Sequence, residues 1–195
     1  MVISPYVEVT GCTFSALWGD AVWVTSTSPS WLTTANNVWI HNNHVITTGR
    51  TGLSIIAGSN VLVEQNAIDR AGHHTFDIEP NFSTQSVTNV TFRNNTAGSH
   101  DADFLEVGAG NTGSTIGTLT VSGNTVTGGT LLTVVDDNGT ARFSGIAFTN
   151  NTSAVAVAGP VLFFVGVDGL TITGNVQPLK SGSLTRTTNC SNVAT

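Results

Sequence analysis

The sequence predicts an all-β protein wound as a parallel β-helix, a solenoid of about seven coils, and three observations predict it. The first is composition. Gly is abundant at 21 residues, Thr, Asn and Val recur, and only 9% of residues are charged, so the Glu and Lys that help fill helices are scarce. The second is a repeated phrase: an apolar residue, any residue, a second apolar residue, then Asn three places later. It occurs as Val38, Ile40, Asn43; Val61, Val63, Asn66; Val90, Phe92, Asn95; Leu119, Val121, Asn124; Ile146, Phe148, Asn151; and Leu170, Ile172, Asn175. An earlier copy, Val7 and Val9, has Cys12 at the Asn place. The third is spacing. Successive copies lie 23 to 31 residues apart, too close for a strand–helix–strand unit, and no helical period runs between them.

Each copy reads as two or three short strands joined by Gly-rich bends. Such a unit cannot bury its apolar face alone, so copies must stack. Parallel strands placed one above another, climbing about 4.8 Å per coil, satisfy both the apolar pattern and the backbone hydrogen bonds. An Asn at one fixed bend then forms an internal ladder, each amide bonding its neighbours above and below. A second apolar pair follows ten residues after the Asn place. In chain order it is Val22/Val24, Leu53/Ile55, Phe76/Ile78, Leu105/Val107, Val134/Asp136 and Val161/Phe163, with Asp136 alone breaking the series. Residues 1–176 are assigned to the coil. Residues 177–195, from Gln177-Pro178-Leu179-Lys180 onward, break the pattern and read as a C-terminal tail or cap.

A net charge of -6, with 6 Lys and Arg against 12 acids, leaves no basic stripe to neutralise phosphates, so nucleic acid is not expected as a partner. No apolar run approaches the 18 residues of a membrane span. The start lacks a basic segment followed by a long apolar one, so no signal peptide is expected. It reads as already within a strand, as in a mature form or a fragment. Cys12 and Cys190 lie near opposite ends of the chain, which argues against a disulfide between them in a stacked fold. Sequons at Asn81, Asn89 and Asn151 are what chance supplies in an Asn- and Thr-rich chain.

The Asn ladder and the phrases Asn37-Val-Trp-Ile-His-Asn-Asn43 and Asn60-Val-Leu-Val-Glu-Gln-Asn66 resemble the right-handed parallel β-helix superfamily, the pectate-lyase-like fold, over nearly the whole chain. The resemblance implies a right-handed coil. It does not choose among polysaccharide lyases, glycoside hydrolases, epimerases, esterases, tailspikes and adhesins. By fold analogy alone it implies an extracellular or virion-surface setting.

Counting from the Asn of each coil places the polar residues. Eleven positions on, between the apolar pair, the outward row is Trp23, Ser54, Asp77, Glu106, Val135 and Leu162. Seven positions on it is Gly19, Arg50, His73 and Ala102; eight on, Asp20, Thr51, His74 and Asp103. Arg50, His73, His74, Asp77, Glu79, Asp103 and Glu106 should therefore cluster on one face of three coils. Insertions at 25–36, 81–88, 108–116 and 136–144 would wall a groove there, with Trp18, Trp23 and Trp31 offering flat rings to sugar faces. The opposing reading of each residue is a solvated surface. His41, His44 and His100 look like surface or turn residues, and Arg70, Asp69 and Asp101 look paired at bends.

Glycoside hydrolysis needs a carboxylic acid and a second carboxylate. Asp77, Glu79 and Glu106 are the candidate catalytic carboxylates, assisted by His74 and Arg50, with Trp23, His73, Asp103 and Trp18 on the substrate and polysaccharide as the partner. No cofactor is expected under that chemistry. A uronate lyase or epimerase would instead need a base, here Arg50 or a histidine, and calcium on Asp77, Asp103 and Glu106. A non-catalytic glycan-binding or structural β-helix is the further alternative. Its bare first coil would need cover from a preceding segment or another subunit, because open strand edges aggregate.

Overall fold

The structure is a computed structural model that describes residues 1–26, 35–108, 114–136 and 142–195. Trp31 and most of the insertions at 25–36, 108–116 and 136–144 fall outside those residues. Three parallel sheets run the length of the coil, of eight, six and seven strands. The first stacks Val7–Thr10, Ala35–His41, Gly58–Glu64, Ser86–Arg93, Thr115–Ser122, Arg142–Thr149, Val167–Thr173 and Ser191–Ala194. The third, which carries the candidate site, stacks Val22–Val24, Leu53–Ile55, Phe76–Ile78, Leu105–Gly108, Thr133–Asp136, Leu162–Val165 and Thr185–Thr188.

Register follows the repeated phrase. Val7 pairs with Val38, Val38 with Val61, Val61 with Val90, Val90 with Leu119, Leu119 with Ile146 and Ile146 with Leu170. Alternate side chains point inward, because successive residues of a strand face opposite ways. They bury a continuous column of Val, Ile, Leu and Phe. Phe76 lies against Phe92 at 4.6 Å between ring centres and against Phe104 at 5.5 Å, tying the third sheet to the first across the interior.

The ladder exists. Asn43, Asn66, Asn95 and Asn124 each donate Nδ2 to the Oδ1 of the next Asn, at 2.8 to 3.0 Å, and Asn151 does the same to Asn175. Each also donates to a main-chain carbonyl of the preceding coil, as Asn95 does to Val63 at 3.0 Å. At the Cys12 place only the backbone N–H joins in, donating to Asn43 Oδ1 at 3.0 Å. The residue just before each ladder position takes a left-handed conformation: Gly11, Asn42, Gln65, Asn94, Gly123, Asn150 and Gly174. A second left-handed column precedes the first apolar residue: Tyr6, Asn37, Asn60, Asn89, Thr118, Gly145 and Gly169. Asn and Gly dominate both columns because they tolerate that region best. Asn151 is fully buried in the ladder, so its sequon is closed to glycosylation.

One expectation needs correction. The inward pairs of the last coils are Thr133/Val135 and Leu162/Phe164, not Val134/Asp136 and Val161/Phe163, and the outward row continues Val134, Phe163 in place of Val135, Leu162. The arc from the ladder Asn is one residue shorter in one coil and one longer in the next, so a fixed count slips and Asp136 leaves the core. Residues 177–195, expected as a tail or cap, also carry strands in register with the coil. Leu179–Ser181 pairs with Val157–Ala158, Thr185–Thr188 with the third sheet and Ser191–Ala194 with the first. Cys12 and Cys190 are both free thiols.

Candidate functional site

The third sheet pairs Trp23 with Ser54, Ser54 with Asp77 and Asp77 with Glu106. The outward row expected from the sequence is therefore real over its first four members. The bend before it is in register too: Thr51 N–H donates to Asp20 Oδ1 at 3.1 Å, His73 N–H to Arg50 O at 2.8 Å and Thr75 N–H to Asp103 O at 3.0 Å. These two arcs enclose a cleft of about 560 Å³ whose polar lining includes Arg50, Thr51, His73, His74, Asp77, Glu79 and Glu106. Gly49 and Gly72 form part of its floor, and each allows close coil stacking. A Cβ on Gly72 would come within 2.6 Å of Gly49 O.

Asp77 sits at the base of the cleft, 4% exposed although it points away from the hydrophobic core. Ser54, also buried, donates its hydroxyl to Asp77 Oδ2 at 3.3 Å. The Arg50 guanidinium is 3.9 Å from the same oxygen and is itself held by Asp20 at 3.1 Å. Burial pushes the Asp77 carboxyl up, and the neighbouring charge of Glu79 pushes it further, to about 7, against the opposing pull of His74 and Arg50. Asp77 therefore keeps its proton through a pH range in which ordinary aspartates have lost theirs.

His74 is buried between two acids. Its Nε2 is 2.7 Å from Glu106 Oε2 and its Nδ1 is 3.2 Å from Asp103 Oδ2. No acceptor is aligned with the Nδ1 position, so the Asp103 contact is a charge contact more than a hydrogen bond. Burial acts to discharge the imidazolium, but Asp103 and Glu106 outweigh it and raise the pKa to about 9. The same pairing holds Glu106 below its ordinary value, with burial opposing. Two carboxylates in register on neighbouring coils are thus driven in opposite directions, Asp77 toward the acid and Glu106 toward the anion.

The sequence-predicted residues divide as follows. Arg50, His73, His74, Asp77, Glu79 and Glu106 meet in the cleft, with His73 and Glu79 exposed at its rim. Asp103 stands behind His74, outside the lining. Trp23 lines an adjoining cleft of about 310 Å³, which shares Arg50 with the first and is also bordered by Asp20. Trp18 lines neither; it is 96% exposed at the bend beside Gly49. None of residues 81–88 lines the cleft, so that insertion does not wall it as expected. Asp20, absent from the predicted site, is the residue that fixes Arg50, and its place one coil before Thr51 was the signal for it.

Outside the cleft, Arg70 forms two hydrogen bonds of 3.1 Å to Asp101 and His44 contacts Asp69 at 2.7 Å. Asp101 is at a bend as expected, whereas Asp69 and Arg70 lie on the strand Ala67–Ala71 and His44 on the strand His44–Val45. His41 is not a surface residue. It is 8% exposed, stacked on Trp39 with ring centres 3.8 Å apart, and 2.8 Å from Glu8. Glu64 accepts from Trp39 Nε1 at 2.9 Å and from Arg93 Nε at 2.8 Å, and Arg93 lowers its pKa. His100, half-buried, has its pKa lowered by burial.

Among the described residues, one group could hold a metal ion. His74, Asp103 and Glu106 bring one ligand atom each within 4.8 Å of one another. With His74 charged, the imidazolium already lies between the two carboxylates, 2.7 Å from Glu106 and 3.2 Å from Asp103, so the donor set does not require a metal.

The family follows from comparison as well as geometry. A family model described as right handed beta helix region matches residues 2–159, and the chain belongs to that family. The coil is therefore right-handed, and the fold suggests a polysaccharide-related or structural β-helix protein. Comparison with curated proteins and with solved structures finds no significant match.

Proposed function

We propose that the cleft cleaves a glycan by general-acid-assisted hydrolysis. The observation that carries this is the divergence of two stacked carboxylates: Asp77, raised to about 7, and Glu106, lowered by His74. Finding carboxyls whose surroundings push their protonation apart is the physical signature of an acid and its partner in glycoside hydrolysis. Asp77 donates its proton to the leaving oxygen of the glycosidic bond. Glu106, held ionised by His74, faces the developing positive charge at the anomeric carbon.

The coil sets the separation. Residues opposite each other on neighbouring parallel strands start about 4.8 Å apart. Retaining enzymes hold their carboxyls at about 5 to 5.5 Å, so the Asp77–Glu106 pair fits a retaining reaction, with Glu106 as nucleophile. Glu79, two residues along the strand from Asp77, starts about 7 Å away and would suit a water-activating base in the inverting alternative. In this reading Arg50 and His73, which line the cleft, orient hydroxyls.

The lyase reading is less well supported. Of its candidate bases, Arg50 is engaged with Asp20 and His74 with Glu106, which leaves only His73 at the rim. One observation favours a binding groove without catalysis: Asp77 is only 4% exposed, a depth that limits approach of a glycosidic oxygen.

The test is a panel of neutral and uronic polysaccharides, with and without calcium, read by product chemistry. New reducing ends without unsaturated sugars support hydrolysis. Unsaturated ends mean a lyase. Glycan binding without any product means the binding groove.

A further inference from the structure

The outer face of the third sheet does not stop at Glu106. Register carries it through Val134 and Phe163 to Arg186. There it forms a separate cleft of about 260 Å³, whose lining includes Val134, Asp136, Phe163, Val165, Arg186 and Thr188. The character of the face changes along this line. The central cleft carries Asp77, Glu79 and Glu106, whereas the distal one is mainly apolar and holds an exposed guanidinium. Among the described residues Arg186 makes no ion pair, unlike Arg50, Arg70 and Arg93, each of which is matched to a carboxylate.

We propose that this distal cleft binds a sugar unit carrying an anionic group, the Phe163 ring taking the sugar face and the Arg186 guanidinium taking the anion. An aromatic or aliphatic surface flanked by a planar, forked donor is the combination that reads a sugar with a carboxylate or sulfate, because guanidinium bonds such oxyanions through two parallel N–H groups. Arg186 lies three strand steps from Glu106, about 14 Å along the face. The two clefts together therefore select a mixed polymer. The unit over the central cleft is uncharged, since its cations Arg50 and His74 are already matched to Asp20 and to Glu106 with Asp103 while Glu79 adds a further negative charge, and the charged unit sits further along the same chain. This inference rests on the glycan reading of the groove but not on its hydrolytic step.

The experiment measures binding by calorimetry to matched glycan pairs, dextran with carboxymethyl dextran and hydroxyethyl cellulose with carboxymethyl cellulose, over a salt series. The full chain is compared with Arg186→Ala, Arg186→Lys and Asp77→Asn. At low salt the full chain should bind one carboxymethylated member about tenfold more tightly than its neutral partner, the scale of one charge-assisted hydrogen-bonded contact. That preference should fade as salt rises. Arg186→Ala should abolish it, Arg186→Lys keep part of it and Asp77→Asn leave it intact. Equal binding within both pairs, no binding to any of the four, or an undiminished preference in a folded Arg186→Ala overturns the proposal. Loss of product with Asp77→Asn bears only on the hydrolytic reading, so the two can fail separately.

Discussion

Replacing Asp77 by Asn should make the protein more stable above neutral pH while removing the proposed hydrolysis. The side chain is 4% exposed, and burial with the adjacent charge of Glu79 lifts its pKa from 3.8 to about 7 in the folded state. The folded protein thus holds a proton that the unfolded chain releases near 3.8. Stability is unaffected by this group below pH 3.8, declines as pH rises from there through 7, and has lost the full amount above it. At about 1.36 kcal/mol per pKa unit, the loss is on the order of 4 kcal/mol. Asn keeps the shape and still accepts from the Ser54 hydroxyl, but it has no charge to desolvate. Urea unfolding of both proteins from pH 3.5 to 8.5 is the assay. The curves should coincide at the acid end, and the variant should lead by several kcal/mol at pH 8. Parallel curves across the whole range would refute the placement of Asp77 as a buried, reluctant acid.

Other outcomes follow from the same geometry. The proposed hydrolysis should be fastest between the lowered pKa of Glu106 and about 7, and fall as Asp77 loses its proton; a pH–rate profile still rising through pH 8 would contradict that. His74, raised to about 9, stabilises the fold below pH 6.5 and loses that contribution as pH climbs through 9. His74→Gln should accordingly flatten the alkaline decline of the melting temperature. Asn95→Ala removes the ladder hydrogen bonds to Val63, Asn66 and Asn124 and strands buried partners, costing about 4–6 kcal/mol in chemical denaturation. Asp20→Asn should weaken the hold on Arg50 and raise KM more than it lowers kcat, a split that steady-state kinetics reads directly.

The ladder was legible because the coil repeats it at a fixed offset from an apolar pair. A buried amide can be satisfied at that bend only by another amide above and below. The second left-handed column was legible too, in the residues before Val38, Val61 and Val90, but the apolar pattern drew attention past it. The outward row failed after Glu106 because bends differ in length, and counting residues cannot see a bend tighten. Depth was also hidden. Ser54 and Asp77 point away from the core, yet Arg50 and its Asp20 anchor, from neighbouring coils, crowd the carboxylate. His41 misled for a similar reason: Glu8 reaches it from the coil before, and Trp39, two residues back on the same face, stacks on its ring. Composition indicates which groups ionise, but only the packed coil decides which of them do so reluctantly.

The proton on Asp77 is the point on which the chemistry turns. A carbon-detected NMR titration of the Asp77 carboxyl, assigned by comparison with Asp77→Asn, follows it without any substrate. A midpoint near 7 is expected, with Glu106 titrating below its ordinary range. A midpoint near 4 would leave only ionised carboxylates in the cleft and no acid to protonate a leaving group.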